Sequence, residues 1–199
     1  MVAILSKVLS LDLEMNYTGK IIQLGYVIAD VRSNNILIDR CIYVNPYEKL
    51  GVLNNGIHIT DYTGITQEDV DCAPFLDHAY LLMCEDIKAL NVSKTCIQWG
   101  DGFQDNKGDH DAIRQQLGLS WDEFVFRPRA WDVKSQYQIY QAFRNNRVVG
   151  GVAAALRTLG LEFIGREHNA LDDALNTYRI FYELGIKMKK YDDIMRLVK

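Results

Sequence analysis

The sequence predicts an α/β fold: one mixed five-stranded sheet, three antiparallel strands followed by two parallel ones, flanked by helices. Three observations lead there. β-rich runs joined by a tight turn open the chain, strand and helix patterns alternate through its middle, and its last third is helical.

Residues 7–14 alternate Leu9, Leu11 and Leu13 with Ser10, Asp12 and Glu14, the period of two expected of a strand. Residues 20–31 and 35–45 are further β-rich runs, and Ser33-Asn34-Asn35 between them suits a hairpin turn. After a polar stretch containing Asn54-Asn55-Gly56, Thr66-Gln67-Glu68-Asp69 signals a helix start, and helical spacing continues over 74–90. A strand at 94–100 and a helix at 108–117 follow. A short strand at 130–133 leads into a helix through Tyr137, Tyr140 and Phe143. Gly150-Gly151 breaks the chain before a helix over 152–159 and a long one from 169 to about 184. In that last helix Ala170, Leu171, Ala174, Leu175, Tyr178, Phe181 and Leu184 form an apolar stripe, with Asp172, Asp173 and Asn176 off it.

The 199 residues suit a single domain over 1–199, because no shift in composition divides them. A hydrophobic share of 48% and a charged share of 24% exclude a disordered or fibrous chain. No apolar run is long enough to cross a bilayer and the first residues carry no basic leader, so the chain is expected to be cytoplasmic and without a membrane partner. Cys41, Cys72, Cys84 and Cys96 show no Cys-x-x-Cys pair and read as reduced core thiols. A net charge of −4 is unlike a protein that coats DNA. It is compatible with an enzyme that meets phosphates through bound cations. No interface signature assigns an oligomeric state, and a homodimer is compatible with the sequence.

Asp12 and Glu14 lie two apart on a strand, so their side chains share a face with Cα atoms about 7 Å apart. Carboxylates on a central strand are costly unless a cation or donor satisfies them; at a strand end they are merely hydrated. His168 stands just before the last long helix, where a loop residue can swing, while Asp173 in the first turn is held rigidly. Each has an ordinary alternative: a surface histidine, and first-turn charge against the helix dipole.

Their combination resembles a known family. Leu11-Asp12-Leu13-Glu14, a Trp99-Gly100 strand end with acidic residues after it, and His168-x-Ala170-x-x-Asp173 look like the three motifs of the DEDDh superfamily of 3'→5' exonucleases, which has a ribonuclease-H-like fold. Ile21-Ile22-Gln23-Leu24-Gly25, Tyr43-Val44-Asn45-Pro46, Tyr62-Thr63-Gly64-Ile65-Thr66 and Ala73-Pro74 stand in that family's order between them. The resemblance covers residues 9–184 and is nearest to the stand-alone Eri-type and RNase T-type exonucleases. The histidine five residues before the aspartate matches the His branch; the sister branch has a tyrosine four before it, where this chain has Asn169.

For the second motif Asp109 fits best, with Gly108 before it, Ile113 four further on and Leu117 continuing that face. Asp101 and Asp111 stay open as alternatives and Asp105 as a distant one. The resemblance implies that Asp12, Glu14, Asp109 and Asp173 bind two divalent cations, with Asp12 bridging both. Oxygen ligands favour Mg²⁺ or Mn²⁺, held roughly 4 Å apart in two-metal phosphoryl chemistry. His168 would take the proton of the attacking water. The implied substrate is a single-stranded nucleic-acid 3' end, DNA or RNA, and the product a 5'-mononucleotide. Met15 and Asn16 would meet the terminal nucleotide, with the loop from Tyr62 to Thr66 holding its base. Arg127, Arg129, Arg144 and Arg147 are candidates for phosphate contacts, whereas Trp99, Trp121 and Trp131 read as core anchors. Two rivals remain: a catalytically silent binding module on the same fold, and an internally cutting nuclease.

Overall fold

The computed structural model describes residues 6–100, 108–144 and 150–197, with the side chains of the last helix described to residue 189. Its sheet has the order β3-β2-β1-β4-β5. β1 (Lys7–Met15), β2 (Ile21–Asp30) and β3 (Asn35–Tyr43) form the antiparallel part. β4 (Ile97–Gln98) and β5 (Trp131–Asp132) add in parallel beyond β1. The predicted mixed sheet is therefore observed.

The period of two in β1 divides the molecule. Leu9, Leu11 and Leu13 enter a core with Tyr80 and Met83 of α3 (Leu76–Leu90) and Ile113 of α4 (Asp109–Gln116). Val8, one residue out of phase, enters the opposite core with residues of three other helices: α5 (Val133–Phe143), α6 (Val152–Leu159) and α7 (Ala170–Leu197). Ser10, Asp12 and Glu14 share the parity of Val8 and so face α7. Leu9 and Leu11 are fully buried, which contributes about 1.5–3 kcal/mol for each side chain. The buried Tyr26 hydroxyl donates to Asp86 Oδ2 at 2.7 Å, and Arg40 Nε donates to the same oxygen at 2.7 Å, tying α3 to β2 and β3.

Several boundaries differ from the sequence reading for identifiable reasons. The strand expected over 94–100 keeps only Ile97 and Gln98 in the sheet, because the Lys94 carbonyl receives Arg127 N–H and Gly100 turns out with φ of 90°. A five-residue helix, α1 (Ile59–Thr63), stands where no helix was expected, too short to show an amphipathic stripe. The helix start at Thr66 is realised as a reciprocal capping box on α2 (Gln67–Asp71), and α3 follows as a separate helix from Leu76. α7 runs past Gly185 to Leu197, since one glycine costs a helix only about 1 kcal/mol. Of the four cysteines, none in a disulfide, only Cys96 is buried: Cys41 and Cys72 are exposed, on a strand facing solvent and at a helix end, which corrects the core assignment for them. Among the described residues no helix is long and apolar enough to cross a membrane.

Candidate active site

Two glutamines and two glycines bring distant acidic residues to the end of β1. On β2, Gln23 pairs with Glu14 and Gly25 with Asp12. Gln23 Oε1 accepts the Ala170 N–H at 2.8 Å, so the first turn of α7 is fastened beside Glu14. A side-chain carbon at Gly25 would lie 2.0 Å from the Ala170 carbonyl carbon, so only glycine admits α7 this close to Asp12. Gln98 of β4 performs the equivalent service for α4: its Oε1 lies 3.0 Å from His110 Nδ1. Gly108, at φ 92°, packs against its amide, and Asp109 opens the helix next to it.

The loop before α7 is stapled by the two aspartates of its first turn. Asp172 Oδ2 accepts Arg166 N–H and Asp173 Oδ2 accepts His168 N–H, each at 2.8 Å. His168 adopts φ of 64°, a conformation costly for a residue with a side chain and held by that hydrogen bond. Its ring stacks on Tyr62, with centroids 3.9 Å apart and planes 27° apart. Glu14, His168 and Asp173 each offer an atom to one point, all within 4.8 Å of one another.

Electrostatics bring two further carboxyls, Asp12 and Asp109, into the same neighbourhood. Burial pushes the Asp12 carboxyl well above the usual range, and Asp109, Asp173 and Glu14 add to the rise. Glu14 is pushed up to about 8, by burial first and then by Asp173 and Asp109, with Arg166 opposing. Burial raises Asp109 as well. Asp173 rises to about 6 through burial, moderated by the His168 N–H. Burial lowers His168, so its imidazole is neutral at neutral pH. Four carboxylates that repel one another while partly shielded from water form a donor set of hard oxygens, which fits Mg²⁺ or Mn²⁺. Asp12, Glu14, Asp109 and Asp173 are the side chains that would hold such ions.

Asp12, Glu14, His168 and Asp173 open on one cavity of about 530 Å³. Its other walls are Tyr62, Trp99, Glu167, Arg157 and the first turn of α6. Trp99 and Arg157 were not foreseen as site residues. Their signal lay only in position, Trp99 ending a strand parallel to β1 and Arg157 lying within the helix that starts at Gly151.

Asp111, an alternative for the second motif, is committed elsewhere: its oxygens take Arg114 Nε at 2.7 Å and Gln115 Nε2 at 2.9 Å. Asp101, Asp105 and Arg147 lie outside the described residues. Met15 and Asn16 are not brought to the cavity. Met15 has the opposite strand parity to Glu14 and packs against the α3 core. Asn16 organises the following turn, accepting from Thr18 N at 3.1 Å and Lys20 N at 2.8 Å, and donating to the Lys49 carbonyl at 3.2 Å. Arg144 folds back onto the Tyr140 hydroxyl. Trp121 and Trp131 pack at core margins, as expected.

Comparison with known proteins bears on the family and the fold. The exonuclease family model RNase_T matches residues 9–181. ERI1 exoribonuclease 2 of Danio rerio is 27% identical over 179 residues, 79% of this chain and 30% of that protein, so the chain spans under a third of that relative. Among solved structures, the nuclease domain of 3'hExo, a DEDDh family member bound to rAMP, superposes with a TM-score of 0.71 at 20% identity, covering 93% of this chain and 94% of that one. Cell-death related nuclease 4 gives 0.74 at 21% identity, covering 92% and 64%. The sheet order and flanking helices are thus those of the DEDDh exonuclease fold.

Proposed function

Because the chain belongs to the RNase_T exonuclease family, we propose that it is a metal-dependent 3'→5' exonuclease releasing 5'-mononucleotides from single-stranded 3' ends, RNA before DNA. The observation that carries this reading is the convergence of Asp12, Glu14 and Asp173 beside a neutral His168 on one nucleotide-sized cavity, with Asp109 close enough to Asp12 to raise its carboxyl. The RNA preference rests on relatives named exoribonucleases and on a structural neighbour bound to rAMP.

Two Mg²⁺ or Mn²⁺ ions on these carboxylates would supply Lewis-acid stabilisation of the charge developing on the phosphoryl oxygens. The chain's own residues supply placement and proton transfer. His168 takes a proton from the attacking water as its oxygen bonds to phosphorus and the bond to the 3' oxygen of the preceding nucleotide breaks; solvent protonates that leaving oxygen. Desolvation keeps the imidazole free to accept at neutral pH. Asp173 fixes the backbone of the histidine, and Tyr62 limits where the ring goes. Arg157 and the first turn of α6 line the same cavity, and a guanidinium beside a helix N-terminus favours a scissile phosphate there.

The test is a paired digestion of 5'-labelled single-stranded RNA and DNA of one sequence with Mg²⁺ or Mn²⁺. A ladder shortening one nucleotide at a time from the 3' end, faster on RNA, abolished by EDTA and by Asp12→Ala, is the expected result. Scattered internal fragments would indicate an internal nuclease. Binding of the strand without cleavage under every metal would indicate a silent module.

A further inference from the structure

A second cavity, of about 560 Å³, lies at the far end of the parallel strands and plays no part in the reading above. Lys7 opens β1 five residues before Asp12, which places the two roughly 17 Å apart along the strand. Lys7, Lys94 and Arg127 all line it, and among the described residues no acidic one does. In a chain with 26 acidic and 22 basic residues, such a concentration runs against the overall charge.

The three cations come from separate segments fixed to one another. Ser93 N–H donates to the Lys7 carbonyl at 3.1 Å, and Arg127 N–H donates to the Lys94 carbonyl at 2.8 Å. Lys7 Nζ donates to the carbonyl of Leu90, itself a lining residue, at 3.0 Å, which fixes its ammonium. Trp131 closes one wall, its ring stacked on Phe181 with centroids 5.6 Å apart and planes 10° apart. Ser93 and Thr95 add hydroxyls. Positive charge on pinned backbone, an indole and hydroxyls in a chamber of this size match a phosphate joined to an aromatic base.

The geometry points to this basic chamber as a second nucleotide-binding site, separate from the carboxylate centre, with Arg127, Lys94 and Lys7 on the phosphate and Trp131 beside the base. The nucleotide has two sources, a free mononucleotide or an upstream nucleotide of a bound strand. Only the second rests on the exonuclease reading.

The experiment uses the full chain carrying Asp12→Asn in EDTA, so that neither cleavage nor cation-mediated binding intrudes. The indole N–H resonance of Trp131, assigned by its loss in Trp131→Phe, is followed during titration with inorganic phosphate, 5'-AMP, and an oligonucleotide long enough to reach round from the carboxylates. A shift with 5'-AMP, weakened about tenfold in the Lys94→Glu/Arg127→Glu variant but not in Arg129→Glu, establishes the site for free nucleotide. A shift with the oligonucleotide alone, with the same dependence and a steep loss of affinity in salt, establishes it for the strand. No shift with any of these, or shifts indifferent to the charge reversals in a folded variant, overturns the proposal whether or not the chain proves to be an exonuclease.

Discussion

The ring of His168 lies face to face with that of Tyr62, 3.9 Å between centroids, although 106 positions separate the residues. The contact joins the loop before α7 to α1 and restrains a histidine whose backbone is already in a costly conformation. An aromatic pair of this kind contributes about 0.5–1.5 kcal/mol beyond the area it buries. Tyr62→Leu should therefore lower the single-turnover rate by about 2- to 12-fold with a folded enzyme, while Tyr62→Phe stays close to the parent. Equal rates for Leu and Phe at position 62 would show that the stack does not place the base.

Asp109 and Asp111 stand two apart on α4 but answer to different demands. Asp109 shares its electrostatic environment with Asp12, and Asp111 is 1% exposed and bound to Arg114. Asp109→Asn should reduce turnover by at least about a hundredfold with little loss of melting temperature. Asp111→Asn should do the reverse, because removing one partner of a buried pair costs about 3–5 kcal/mol. Thermal melts and turnover measured on both variants decide the assignment; loss of activity confined to Asp111→Asn would reverse it.

Much of the framework was legible because it depends on local period. Leu9, Leu11 and Leu13 mark a strand wherever they occur, and α6 falls on Val152–Leu159 as its apolar spacing and preceding glycines indicate. The helix start expected at Gly108 is also found, with Asp109 as its first residue. What the sequence hid were relations across the fold. Nothing local in Gln23 says that its amide holds the start of α7, and nothing in Lys7, Lys94 and Arg127 says that they share a cavity. Asn16 was drawn to the substrate by motif position, whereas its side chain is spent on the turn that ends β1.

Gly25 should tolerate no side chain. A methyl group there would meet the Ala170 carbonyl carbon at 2.0 Å, so α7 must move outward and carry His168 and Asp173 from Asp12 and Glu14. Overpacking of this kind costs about 1–3 kcal/mol. A displacement of about 1 Å at reacting groups costs about a hundredfold in rate. Gly25→Ala is thus expected to melt lower and to lose at least that much activity, with an equal loss of Mn²⁺ affinity by calorimetry. Normal Mn²⁺ binding by the variant would refute this coupling.

The raised carboxyls give the metal-free protein an inverted response to pH. Glu14 keeps its proton up to about pH 8 in the folded chain and Asp173 to about 6, whereas the unfolded chain releases both near 4. Between those values the unfolded state binds fewer protons, so stability is fullest below about pH 4 for these groups and falls as pH rises through 6 toward 8. Each unit of raised proton affinity corresponds to about 1.4 kcal/mol, and about 2–4 °C of melting temperature accompanies each kcal/mol in a domain of this size. Melting in EDTA should therefore drop by several degrees from pH 5.5 to 8, an interval chosen to cover these two titrations. Mg²⁺ or Mn²⁺ should raise it more at the upper end, because bound cations compensate the charge that the protons had suppressed. Glu14→Gln should flatten the EDTA curve and shrink the metal effect, and a parent protein whose metal-free melting rises across that interval would contradict the buried carboxylate cluster.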